Sequence, residues 1–203
     1  MESLETLERS TTELVDRAYK YGMIQVREEI TEFVDFLRER GPLGNVLEIG
    51  SESGGTFYLW CRLASLSAHK ISIDKPDGAS GSWRYVDPAA LKERNETFLN
   101  FASRVSIINA DSHDGKTVAQ VADILAGDKL DLLFIDGDHS FAGVKADYEM
   151  YKSLVSADGM IVFHDIQHLG PKIFWEELHR RGGKLREFNQ NLHWAGLGVL
   201  TAS

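Results

Sequence analysis

Five short apolar runs separated by helix-like segments constrain the fold of this 203-residue chain more than any other feature. The runs are Asn45–Ile49, Lys70–Asp74, Val105–Asn109, Leu130–Ile135 and residues 159–164. Segments 55–66, 88–102, 115–125 and 141–154 lie between them and read as helices, and another follows at 171–181. Pro88 sits in the first turn of its helix, where its missing N–H costs nothing. Strands alternating with helices predict a parallel sheet with helices on both faces. Two last strands, Lys184–Phe188 and residues 194–200, are joined by little more than Asn189-Gln190-Asn191. That link is too short for a parallel crossover, so the pair is expected to form an antiparallel hairpin at the sheet's edge. The predicted class is α/β: a doubly wound sheet of seven mostly parallel strands with one antiparallel strand in the edge region.

Two helical patterns precede the first strand, at residues 4–19 and 24–40. The second repeats apolar residues at Ile30, Phe33, Val34 and Leu37, one face of a helix, and Gly41-Pro42 stops it. Residues 1–42 therefore read as a helical lid or a subunit interface, leaving open a homo-oligomer, and residues 43–203 as the main domain. Hydrophobic residues make up 43% and charged residues 26%, which fits a folded globular chain. The net charge of −9 argues against a sequence-independent grip on nucleic acid, which needs clustered cations. Arg180, Arg181, Lys184 and Arg186 form the one basic stretch and read as a solvated helix end. Cys61 is the single cysteine, set in an apolar segment, so a buried inert thiol in a reducing compartment is expected. No apolar run is long enough to span a bilayer and the N-terminus is polar, so the expected location is cytoplasmic, with no membrane partner.

The first strand ends in Glu48-Ile49-Gly50-Ser51-Glu52-Ser53-Gly54-Gly55. Glycines there permit a tight turn and close approach of a ligand. The dinucleotide pattern G-x-G-x-x-G is absent, and Glu52 occupies the place that would face a pyrophosphate, which a carboxylate repels. Asp74 ends the second strand, where an acid commonly binds ribose hydroxyls. Asp111-Ser112 follows the third and could reach an adenine amino group. Glu48, Asp74, Asp111 and Asp136 thus stand at four strand ends. Singly, each could cap a helix. Converging on one crevice, they suit a cationic ligand carrying a sulfonium and an ammonium.

The fourth strand ends in Asp136-Gly137-Asp138-His139 and the fifth in His164-Asp165. Neighbouring parallel strands lie about 5 Å apart, so the two ends could hold a divalent metal. Oxygen donors suit Mg²⁺ or Mn²⁺, and added imidazole would also suit iron or zinc. Asp138 precedes a helix and reads as its cap. The long loop at 77–85 carries Trp83, which reads either as a cover for cofactor or substrate or as an exposed aromatic.

These residues resemble class I S-adenosylmethionine (SAM)-dependent methyltransferases, with their Rossmann-like sheet, from about residue 45 to 200. The turn from Glu48 to Gly54 matches their first motif and Asp74 their ribose-binding acid. The stretches FIDGDHSFAGVKADYEMY at 134–151 and GMIVFHDI at 159–166 are similar to metal-dependent small-molecule O-methyltransferases of the catechol, macrolide-sugar and cephalosporin-hydroxylase-like groups. The resemblance implies that Glu48, Gly50, Ser51, Gly54, Asp74, Asp111, Ser112 and Asp136 bind SAM. It implies that Asp136, His164 and Asp165 ligate a divalent metal, Mg²⁺ by preference, with Asp136 and His139 catalytic and His139 the base. His164 departs from the usual carboxylate at its place. The implied function is methyl transfer to a hydroxyl of a small polyhydroxylated molecule, such as a sugar, a natural product or a catechol-like compound. Two other readings compete: a two-histidine, one-carboxylate iron oxygenase, and a SAM-binding partner protein without catalysis.

Overall fold

The computed structural model describes residues 10–75, 88–188 and 194–201. Most of the 75–87 loop, with Trp83, and the hairpin turn at Asn189-Gln190-Asn191 lie outside the described residues. The elements follow in the order α1 (Thr11–Lys20), α2 (Arg27–Arg40), β1 (Asn45–Ile49), α3 (Gly55–Leu63), β2 (Lys70–Asp74), α4 (Pro88–Phe101), β3 (Val105–Asn109), α5 (Gly115–Leu125), β4 (Leu130–Ile135), α6 (Phe141–Tyr151), β5 (Val155–His164), α7 (Leu169–Arg180), β6 (Lys184–Phe188) and β7 (Leu197–Thr201). A single 3-10 turn, Lys152–Leu154, links α6 to β5.

All seven strands form one sheet in the order β3-β2-β1-β4-β5-β7-β6. β1 to β5 pair in parallel, while β7 runs antiparallel to both β5 and β6. The final hairpin forms, and the reversed strand is its inner member, one place in from the edge. β6 returns parallel to β5 because β7 is inserted between them.

Side chains alternate across each strand and feed two apolar layers. Val46, Leu132, Phe134, Met160 and Val162 face the side covered by α1, α2 and α3, where Phe33 and Trp60 are fully buried. Leu47, Leu133, Ile135, Ile161 and Phe163 face α5, α6 and α7. Leu14, Val15 and Ala18 of α1 and Ile30, Phe33, Val34 and Leu37 of α2 belong to the first layer. The N-terminal helices are thus part of the sheet's own core packing. Among the described residues no helix is long and apolar enough to cross a membrane.

Several boundaries differ from expectation for local reasons. α2 starts at Arg27 rather than 24, because residues 23–26 are drawn across the sheet's end (below). β5 starts at Val155, before the exposed Ala157 and Asp158 that hide the strand in an apolar reading. α7 starts at Leu169, which leaves Pro171 still in the first turn, where a backbone N–H has no helical partner.

Candidate active site

Strand register brings the predicted residues together. Ile135 pairs with Ile49 on one side and Phe163 on the other, so Asp136 stands between Gly50 and His164. Ile49 also pairs with Ile73, and Asp74 with Asn109, which sets Asp74 and then the Asp111 loop in the same row. The chain leaves β1 toward β2 on one side while β4 lies on the other. This is the topological switch where open α/β sheets bind ligands. Gly50 has φ +85°, and a Cβ there would lie 2.1 Å from the Asp136 carbonyl oxygen. The two loops can cross only because residue 50 lacks a side chain.

At the reactive end, Asp136 Oδ1 lies 2.9 Å from His164 Nδ1 and 3.2 Å from His139 Nε2. The other ring nitrogen of His139 lies 3.1 Å from Asp165 Oδ2, so the imidazole bridges two carboxylates. Burial alone would raise the Asp136 carboxyl, but the His164 charge and hydrogen bonds from both imidazoles outweigh it and hold it well below the usual carboxylate range. Burial pulls His164 down, and the Asp136 charge and hydrogen bond overcome that and push it up to about 9. For His139 the hydrogen bond to Asp136 raises the pKa against the pull of burial. Asp165 is raised by burial. It also adopts φ +58°, a left-handed conformation that non-glycine residues seldom hold outside constrained sites.

One donor atom each from Asp136, His139 and Asp165 lies within 4.8 Å of the other two. Two facing carboxylates with an imidazole between them match the donor chemistry of a divalent ion. The residues present therefore fit a metal. His139 belongs to this trio, and His164 adjoins it through Asp136.

The row expected to meet the cofactor is less uniform. Glu48 is buried one residue before the strand end. Ser51 is buried and its hydroxyl is tied to Ser72 at 2.7 Å. Gly54 stands at the N-cap of α3 with φ +85°. Asp74 is half-buried at the end of β2. Asp111 pairs with Lys75 at 2.9 Å and accepts from the His113 amide at 2.9 Å; the Lys75 hydrogen bond lowers its pKa. Ser112 is buried beside it. Cys61 is buried as expected, and burial pushes its thiol up.

Asp138 does not cap α6. Ser140 does, accepting from the Gly143 amide at 3.0 Å, while Asp138 Oδ1 accepts from the Ser140 amide at 2.8 Å and braces the turn before it. A serine two residues later was the better N-cap, since its hydroxyl reaches the third helical amide. Asp114 does cap α5, accepting from the Lys116 amide at 2.9 Å.

Sequence reasoning missed four residues. Gln25 donates from Nε2 to Asp136 Oδ2 at 2.8 Å, although 111 positions separate the two. Tyr19 holds the Gln25 carbonyl by its hydroxyl, and a Cβ on Gly55 would lie 2.2 Å from the Met23 amide nitrogen. Residues 23–25 are therefore laid directly over the glycine turn and Asp136. Glu29 is buried and accepts from the Gly196 amide at 2.9 Å. His168 is the N-cap residue before α7, with its ring centroid 6.2 Å from that of His139. None of these carries a motif in the sequence.

Asp147 is the fourth, and the sequence did hold a signal for it. It occupies the buried stripe of α6 with Val144 and Tyr151, a carboxylate where the helical period demands an apolar residue. Burial raises its pKa to about 6, partly offset by Ser112 and His113. Because the folded value exceeds the unfolded one, this group favours the fold fully below about pH 4, and that contribution is lost as pH rises through 6. Stability should fall by up to about 3 kcal/mol across that window. Asp147→Asn should flatten this part of the profile, which urea unfolding at pH 4 to 7 would read directly. An unaltered slope would mean that Asp147 titrates normally.

Residues 47–166, more than half the chain, match the family model of a methyltransferase domain. An uncharacterized protein of Sinorhizobium fredii is 22% identical over 195 residues, covering 85% of this chain and 20% of its own length. An uncharacterized protein of Acanthamoeba polyphaga mimivirus is 32% identical over 121 residues, 60% of this chain and 51% of its own. The chain thus spans only part of the length of each. Among solved structures, a Staphylococcus aureus protein provisionally assigned as a caffeoyl-CoA O-methyltransferase superposes with a TM-score of 0.65 at 16% identity, covering 96% of this chain and 93% of that one. The O-methyltransferase TomG of Streptomyces achromogenes, solved with SAM, gives 0.61 at 12% identity, covering 94% and 89%. At such identities the likeness concerns the fold, and it is the fold of class I methyltransferases. With the strand order, the row of acids at the switch point and the match over residues 47–166, this chain belongs to the methyltransferase domain family.

Proposed function

We propose that the protein transfers the methyl group of SAM to a hydroxyl oxygen of a small polyhydroxylated molecule, assisted by a divalent ion. The observation that carries this reading is the trio Asp136, His139 and Asp165, with donor atoms within 4.8 Å of one another, at the strand end next to the glycine turn. The solved relatives TomG, with SAM, and the Bacillus cereus O-methyltransferase, with S-adenosylhomocysteine, support the choice of cofactor. Glu48, Gly50, Ser51, Gly54, Asp74, Asp111 and Ser112 would line its place.

Asp136 and Asp165 would hold the ion, with His164 beside both as a further ligand, which leaves the His139 imidazole free to act as base. A divalent ion bound there would lower the pKa of a coordinated hydroxyl, as it does for water. His139 would accept the proton of that hydroxyl. Its contact with Asp136 makes the ring a stronger base, and it must give up one carboxylate contact to accept a proton at that nitrogen. Gln25 fixes the second oxygen of Asp136 and so keeps the first aimed at the imidazoles. His164 and Asp165 are buried, which strengthens these charge interactions. A single cysteine fits a cytoplasmic enzyme, and the net charge of −9 fits a small-molecule substrate better than nucleic acid.

Two measurements test the reading. Isothermal titration should detect S-adenosylhomocysteine binding to the metal-free protein. Turnover of a panel of vicinal diols with SAM should require Mg²⁺ or Mn²⁺ and stop in excess EDTA. Full activity in EDTA would remove the ion from the mechanism, and absence of nucleoside binding would remove the cofactor.

A further inference from the structure

α6 joins the two halves of the site. It starts at Phe141, two residues after His139, and its buried stripe carries Asp147 and Tyr151 one turn apart. Both side chains are fully buried. A carboxylate and a phenol placed there cost free energy unless polar groups meet them, and the groups that meet them come from the loop after β3. His113 Nε2 lies 3.2 Å from Asp147 Oδ1, and the Ser112 side chain is near enough to the same carboxyl to offset part of its burial. Tyr151 donates its hydroxyl hydrogen to the Ser112 carbonyl at 2.9 Å. Thr117 holds the preceding carbonyl, that of Asp111, at 2.7 Å. Residues 111–113 are therefore gripped at successive positions, and α6 supplies the grips on Ser112 and His113. This loop is where the Asp111-Ser112 pair would meet a nucleoside base.

We propose that Asp147 and Tyr151 are positioning residues for base recognition: from α6 they set the placement of the Asp111–Ser112 loop and thereby the preference for adenine. The inference rests on the reading that the cofactor is SAM. Neither side chain touches the base. Each acts through the loop, so the 6-amino group of adenine finds its acceptor only when the loop is held at its place.

Calorimetric titration with S-adenosylhomocysteine and with S-inosylhomocysteine, in which an oxo group replaces the 6-amino group, tests this on the whole protein. Wild type should prefer the adenine ligand. Tyr151→Phe removes one hydroxyl and no carbon, and should weaken S-adenosylhomocysteine about tenfold, the loss expected of one well-placed hydrogen bond. The inosine ligand should change by less than about twofold, so the preference shrinks by nearly the same factor. Asp147→Asn, which keeps the shape and removes the charge, should act in the same direction. A variant that is only less stable weakens both ligands alike and keeps the preference. An unchanged preference in both variants, or no preference in wild type, overturns the inference while leaving the cofactor reading intact. If wild type binds neither ligand, the cofactor reading itself falls, and the inference with it.

Discussion

Asp136→Asn should lower the rate of methyl transfer by about a thousandfold, equivalent to ~4 kcal/mol of transition-state stabilisation. Asparagine keeps the shape and loses the charge. Three groups converge on that charge: His164 at 2.9 Å, His139 at 3.2 Å and Gln25 at 2.8 Å. Without it, burial dominates at His164, whose pKa of about 9 depends mainly on Asp136, and the ring becomes neutral. The donor trio also loses one of its two carboxylates, which weakens any divalent ion. The readout is the initial rate of S-adenosylhomocysteine formation with an acceptor that wild type turns over, together with the titration of the histidine ring signals by NMR. A variant within tenfold of wild type would take Asp136 out of the reaction.

Phe33→Ala should cost about 3–5 kcal/mol of stability. Phe33 is fully buried on α2, its ring edge-on to Phe188 of β6 at 5.2 Å and to Trp60 of α3 at 6.0 Å. Deleting it opens a cavity between the N-terminal helices and the sheet, which tests whether residues 10–40 fold with the sheet or beside it. Urea unfolding should show one transition at a lower midpoint, since the helices share the core. Activity should fall as well, because Gln25 and Glu29 reach the site from this segment. Two transitions, with only the earlier one moved, would mean that the N-terminal helices are a separate unit.

Much of this architecture was legible in the chain. β1, β2 and β4 are mostly apolar runs because both faces of a central parallel strand are buried, whereas β3 at the sheet's edge is largely part-buried. The strand ends, and with them Asp74, Asp111, Asp136 and His164-Asp165, follow from where the apolar runs stop. The short link after β6 identified the hairpin. Asp138 misled because two side chains near a helix start compete for its amides, and geometry rather than residue type chose Ser140. The start of β5 was hidden because Ala157 and Asp158 are exposed at the sheet's margin and carry no apolar signal.

By itself the sequence determined that a row of acids would stand along one end of a mostly parallel sheet, because periodicity and turn chemistry are local properties of the chain. It could not assign partners within the row. Only the tertiary structure decided that His139 bridges Asp136 and Asp165, that Gln25 closes on Asp136 from 111 positions away, and that Asp147 and Tyr151 hold the loop after β3. Those contacts depend on where each crossover lays its helix against the sheet and on the direction of single side chains, and neither is written in a local period.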